Sequence, residues 1–177
     1  MSIQNKYLIG IFITALALSF GFNSAYAQKT VLTPDQASSV IANCTPIKNR
    51  LDQLHVNDAL LRVNRGQLYE TVYSKLMLQF NKRAQSNNYD ISMLQMTTEK
   101  FSAQLENFRK DYRAYEQQLD ETIKQGCSNG AQSFVDNIDT AREYRNKVYE
   151  DIKQLNSTLD EYSTNFMNIK SIILGKQ

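Results

Sequence analysis

The chain has no tryptophan, one histidine, two cysteines, two prolines and six glycines among 177 residues. Each scarcity removes a class of function. With His55 as the only histidine, the usual His-containing metal motifs cannot be assembled within one chain. Cys44 and Cys127 are too far apart for a CxxC redox site or a zinc cluster. There is no glycine-rich phosphate loop, and Gly66 stands alone in a periodic stretch, where it reads as a point of close helix contact or slight bend. So few turn-formers argue against a β-rich fold. Pro34 and Pro46 both lie early, which leaves the rest of the chain free to be helical. Charge of one sign is also missing, with 20 Lys and Arg against 18 Asp and Glu. That balance lacks the basic surplus of nucleic-acid binders and of polybasic membrane-surface proteins.

One long apolar run is present and no second one of spanning length follows it. Leu8 to Phe22 covers 15 residues, short of the roughly 20 that a membrane helix needs. Lys6 precedes it, and Ala25-Tyr26-Ala27 follows with the small-x-small form of a signal-peptidase site. Residues 1–27 therefore read as a signal peptide, with an uncleaved anchor as the alternative. No cysteine follows the run to carry a lipid. Loss of Lys6 with the leader would leave 19 basic against 18 acidic groups, a net charge of +1. The expected location is exported, either extracellular or in the periplasm and cell envelope. An oxidising space favours pairing of the two cysteines.

Three apolar series follow, with steps alternating four and three, the pattern of packed helices. The first is Val40, Cys44, Ile47, Leu51, Leu54, Asp58, Leu61, Arg65, Leu68 and Val72. Beyond Val72 it drifts to Tyr69, Tyr73, Leu76 and Phe80, as a local change in supercoil would produce. The second is Leu94, Thr98, Phe101, Leu105, Phe108, Tyr112, Tyr115 and Leu119, ending at Gly126. The third runs from Ile138 through Ala141, Arg145, Val148, Ile152, Leu155, Leu159, Tyr162, Phe166 and Ile169 to Ile173. Thr33-Pro34-Asp35-Gln36 reads as a capping box with proline at the first helical position. The expected fold is all-α: an elongated up-down-up three-helix bundle with coiled-coil-like packing and a short extra N-terminal helix. Its parts are an N-terminal segment 28–45 and a bundle 46–177, with helices at about 46–86, 89–125 and 130–174. A dimer of helical hairpins is the alternative. Ile172, Ile173 and Leu174 should cover the tip near Phe80, Ile91 and Leu94.

A turn in Gln85-Ser86-Asn87-Asn88 would place residues whose numbers add to roughly 171–175 opposite each other across the first helix pair. Cys44 and Cys127 add to 171, which predicts a disulfide closing the open end. The same register sets Asp58 opposite Arg113 and Arg65 opposite Glu106, and the parallel third helix brings Arg142 or Arg145 level with Asp58. A polar layer of Asp58, Arg113 and Arg145, with a second pair Arg65–Glu106, is expected to set register. His55 falls opposite Glu116, as a surface contact. Acidic neighbours such as Asp120-Glu121 and Glu150-Asp151 diverge on a helix and read as solvated faces. The aromatic series has core spacing. No catalytic residue, cofactor or metal site is predicted, and no enzyme. Lys82, Arg83 and Tyr89 at the hairpin tip are the candidate contact for a protein partner.

The stretch from Ile41-Ala42-Asn43-Cys44 through Ile47-Lys48-Asn49-Arg50-Leu51-Asp52-Gln53-Leu54-His55 to Tyr69-Glu70 resembles a group of uncharacterised exported helical proteins of candidate-phylum bacteria. The resemblance implies a bacterial, exported, helical protein and brings no activity or site residues. Leu32-Thr33-Pro34-Asp35-Gln36 is similar to the LTxxQ signature of small periplasmic helical chaperones, and here it occurs once. The expected function is an exported, non-enzymatic structural or protein-interaction module of the cell envelope. The alternative is a periplasmic-type chaperone or envelope stress sensor, marked by a shared exposed patch at Val63, Met77, Leu78, Met93 and Met96. No nucleic acid is expected as partner, nor a membrane span after leader cleavage; a homodimer is a further alternative.

Overall fold

The computed structural model describes residues 31–175; the signal-peptide assignment falls on residues 1–27, outside the described residues. The fold is all-α, with no strand among the described residues. Helix α1 is Pro34–Ala42, α2 Cys44–Thr71, α3 Leu78–Ser86, α4 Ser92–Gln125 and α5 Ala131–Leu174. A π-helical segment, Val72–Met77, joins α2 to α3 without a break. At about 1.5 Å per residue, α5 alone extends some 66 Å.

Local chemistry accounts for the boundaries. The Thr33 hydroxyl accepts from the Gln36 N–H, and the Gln36 side chain accepts from the Thr33 N–H, which closes the capping box around Pro34. Asn88 takes a positive φ of 59° in the turn after α3. Gly126 ends α4 at φ 52°, a conformation that L side chains rarely adopt, so this turn favours glycine; an added Cβ would also meet the end of the flexible Lys48 side chain at 2.9 Å, which that chain can relieve by moving.

Interhelical hydrogen bonds define direction. Asp58 with Tyr115 and Asn81 with Thr98 run antiparallel between the first rod and α4. Lys100 with Glu161 and Asn165 with Thr97 do so between α4 and α5. Asp58 with Arg145, Tyr69 with Asn156 and Asn81 with Tyr162 make α5 parallel to the first rod. The α4–α5 contact is the most extensive. On α4 the whole apolar series from Leu94 to Leu119 is buried. On α5 every seventh residue, Ala141, Val148, Leu155, Tyr162 and Ile169, is buried.

The first rod departs from its expected pattern. Leu61 and Leu68 are more than half exposed, at 53% and 56%, because α2 turns a neighbouring stripe inward, through Asp58 and Tyr69. The drift after Val72 is not a change in supercoil. Buried residues step from Tyr69 to Val72, Met77, Asn81 and Ala84. The single five-residue step spans the π segment, whose wider turn holds one extra residue. It buries Met77 fully and leaves Leu76 exposed, the reverse of the expected stripe. At the far end only Ile173 packs on the core, while Ile172 and Leu174 stay exposed, since the chain turns those two away from the seam.

Cys44 and Cys127 form an intramolecular disulfide with Cα atoms 6.1 Å apart. It joins the start of α2 to the α4–α5 turn across a sequence separation of 83 residues. Replacing both cysteines by serine is expected to lower the unfolding free energy by up to about 4–5 kcal/mol through restored freedom of the unfolded chain. The check is a fall in the urea midpoint with helical circular dichroism retained before the transition.

Candidate functional site

Asp58, Arg62, Arg65 and Tyr69 recur at steps of four, three and four, so they share the face of α2 turned toward α4 and α5. Asp58 is 8% exposed. Its Oδ2 accepts from the Tyr115 hydroxyl at 2.7 Å and from Arg145 Nε at 2.8 Å, and its Oδ1 accepts from Arg145 Nη2 at 3.2 Å. Three helices therefore meet at one carboxylate. Burying such a charge without partners would be costly; here a guanidinium balances it. The bond to Asp58 raises the Arg145 pKa further above its ordinary value against the effect of burial. Burial first, then Asp58, pushes the Tyr115 phenol well up.

Three of the expected polar residues, Arg113, Arg65 and Glu106, do not make the expected pairs. Arg113 does not reach Asp58. Its side chain is 64% exposed and lies 3.8 Å from Glu106. Arg113 is two residues from Tyr115, about 200° round the helix, so the tyrosine on the buried stripe occupies the place assigned to the arginine. Arg65 and Glu106 do not pair either. Glu106 holds Arg109 at 2.8 Å, and Arg109 crosses instead to Glu70 on α2. The register sum identifies residues at one level of a helix pair, and a level holds side chains on all sides. His55 and Glu116 do approach, at 4.0 Å on a partly exposed flank. At the tip Lys82 and Arg83 are exposed, but Tyr89 is half-buried and packs against the core, because its N–H returns to Ala84 at 3.1 Å.

Beside the Asp58 node lies a cleft of about 290 Å³. Phe108, Tyr112, Val148 and Ile152 line it with apolar surface, and Arg62 and Arg65 stand at its edge. The Arg62 guanidinium lies over the Tyr112 ring, 4.9 Å from its centroid. The Tyr112 hydroxyl is buried without a hydrogen-bond partner. Burial, with Glu116 adding to it, pushes this phenol up to about 12. Tyr115 and the Arg62–Tyr112 pair were not among the expected site residues. Tyr115 was detectable, since its number and that of Asp58 add to 173, within the hairpin register.

A further node joins α3, α4 and α5. The Asn81 side chain donates to Thr98 Oγ1 at 2.9 Å and accepts from the Tyr162 hydroxyl at 2.9 Å. Along the α4–α5 seam Asp151 is 7% exposed, with Oδ2 unpartnered. Burial, and then the nearby Asp111, pushes its carboxyl up to about 6. Among the described residues no three His, Cys, Asp or Glu side chains cluster as a metal site. No family model matches this chain, and neither a curated protein nor a solved structure does.

Loss of the Asp58 carboxylate leaves Tyr115 and Arg145 without their acceptor, so Asp58→Ala should destabilise by roughly 1.5–3 kcal/mol. A double-mutant cycle with Arg145→Gln, read by urea melts, should show strong coupling. For Asp151 the folded pKa lies above the ordinary 3.8, so the native state holds its proton more tightly than the unfolded chain. Its contribution is fully present below about pH 4 and is lost as pH rises toward about 6. Asp151→Asn should flatten that part of the stability profile. At pH 7 it should raise the unfolding free energy by about 1–3 kcal/mol in thermal melts.

Proposed function

We propose that the chain is an exported, non-enzymatic helical module of the cell envelope that docks a helix of a protein partner. Its framework in this proposal is an elongated up-down-up three-helix bundle with coiled-coil-like seams. The observation that carries the proposal is the arrangement of α2. Val56, Leu60 and Val63, at steps of four and three, form one stripe, and Val56 and Leu60 are each 61% exposed. That stripe lies half a turn round the helix from Asp58, Arg62 and Arg65, so over 56–65 the side toward α4 and α5 carries the buried Asp58 and the exposed Arg62 and Arg65, while the opposite, apolar side faces water. Spacing of four and three is what a partner helix reads as a seam, and burying such side chains is worth about 1.5–3 kcal/mol each. The disulfide supports an oxidising compartment, and no described helix is long and apolar enough to cross a membrane.

The chaperone alternative has less support. Met77 is fully buried. Val63 and Leu78 are both exposed but lie fifteen residues apart on one rod, roughly 22 Å. Met93 and Met96 are exposed as well, at 55% and 64%, so that reading rests on Leu78, Met93 and Met96, without Met77 and with Val63 far along the rod.

A photo-crosslinking residue at position 60, introduced in the native host, should yield one discrete heavier product with a protein partner. The same residue at Lys153, on α5, should yield none. With the crosslinker kept at position 60, Val56→Asp on the same exposed stripe should abolish the product while changing stability by less than about 0.5 kcal/mol. A product of twice the chain's mass would replace the partner by a second copy, and no product at position 60 would refute the docking face.

A further inference from the structure

The cleft between α2, α4 and α5 is distinct from the outward stripe and carries its own chemistry. Its charge does not balance internally. Asp58 is its only acidic lining residue, and both oxygens of that carboxylate are engaged by Arg145 and Tyr115. Arg62 and Arg65 remain, and neither forms an ion pair with a described residue. Their three-residue spacing sets them side by side on the inward face of α2. A helix in an ordinary bundle would place apolar side chains there. Beneath them the wall is aromatic and aliphatic, from Phe108 to Val148 and Ile152. Within this wall Tyr112 is 3% exposed and its hydroxyl lacks a partner, a rare condition for a buried polar group.

We propose that this cleft binds a small amphipathic carboxylate, with the carboxylate held by Arg62 and Arg65 and an aliphatic or aromatic body laid against Phe108, Val148 and Ile152. The guanidinium fork suits a carboxylate in two-point contact better than it suits a neutral polar group. The volume of about 290 Å³ sits at the small end of ligand sites, which run roughly 300–1,000 Å³. That size accommodates a short chain or single ring rather than a folded peptide segment.

Octanoate and its uncharged counterpart octanol serve as probes, with the disulfide-bonded protein followed by methyl and amide NMR. Octanoate is expected to bind saturably, with the largest shifts at Val148 and Ile152, and octanol at least tenfold more weakly. Arg62 and Arg65 are both exposed, so the double variant Arg62→Gln, Arg65→Gln should keep its helical spectrum and melting curve while losing octanoate affinity by tenfold or more. Equal affinity for octanoate and octanol would overturn the proposal in favour of a merely apolar crevice. Absence of saturable octanoate binding, or unaltered affinity in the double variant, would overturn it as well.

Discussion

The α4–α5 seam is the constraint on which the other elements depend. It is the most extensive helix contact, apolar from Ile123 beside the turn to Leu94 at the level of Ile169 except for the buried Thr97, Thr98, Thr122, Asp151 and Thr158. A lone helix is marginal in water, and α2, with Asp58 and Tyr69 its only buried residues, could not supply the missing stabilisation by itself. It is held by attachments at intervals. The disulfide secures its start, Asp58 its middle and the Tyr69–Asn156 hydrogen bond its end. Aromatic edge contacts of Tyr69 with Phe101 and Phe108 reinforce the last of these.

Such spaced attachment explains why α2 can carry an inverted pattern. A helix that depended on continuous burial would lose its fold if its inward positions were Asp58, Arg62 and Arg65. Here the covalent link and the polar node hold the helix in place. Its outward residues are then under no demand from the fold to be polar. The same freedom permits a cleft beside Asp58, because α2 need not close against Phe108 and Tyr112 along its whole length.

Legibility from sequence followed the strength of the seam. The α4 stripe and the seven-residue repeat of α5 were readable because every member but Thr98 is apolar and both stripes are buried. The cysteine pairing was readable because a hairpin register has one free parameter and the chain has only two cysteines. The azimuth of α2 was not. Leu61 and Leu68 are apolar and correctly spaced, yet they face water, and their pattern competes with that of Tyr69, Val72 and Met77 in the same rod. The π segment cannot be read from periodicity as such, since one extra residue is indistinguishable from a drifting stripe until the buried side chains are known. In the site, Asp58 and Arg145 were visible as charges within apolar series. Tyr115, although its number fits the register, was passed over because a tyrosine in such a series reads first as packing, and Arg62 because it lies outside the a and d positions of the series.

The sulfur link also divides the chain topologically. Residues 44 to 127 form a closed covalent ring containing α2, α3 and α4, and α5 lies entirely outside it. Tension applied at the C-terminal end therefore falls on the contacts of α5 with α4 and on its hydrogen bonds to α2 and α3. It can peel α5 away turn by turn, beginning at Ile173 and Ile169, while the ring cannot lengthen until a covalent bond breaks. Under load the chain therefore has an extensible α5 and an inextensible middle.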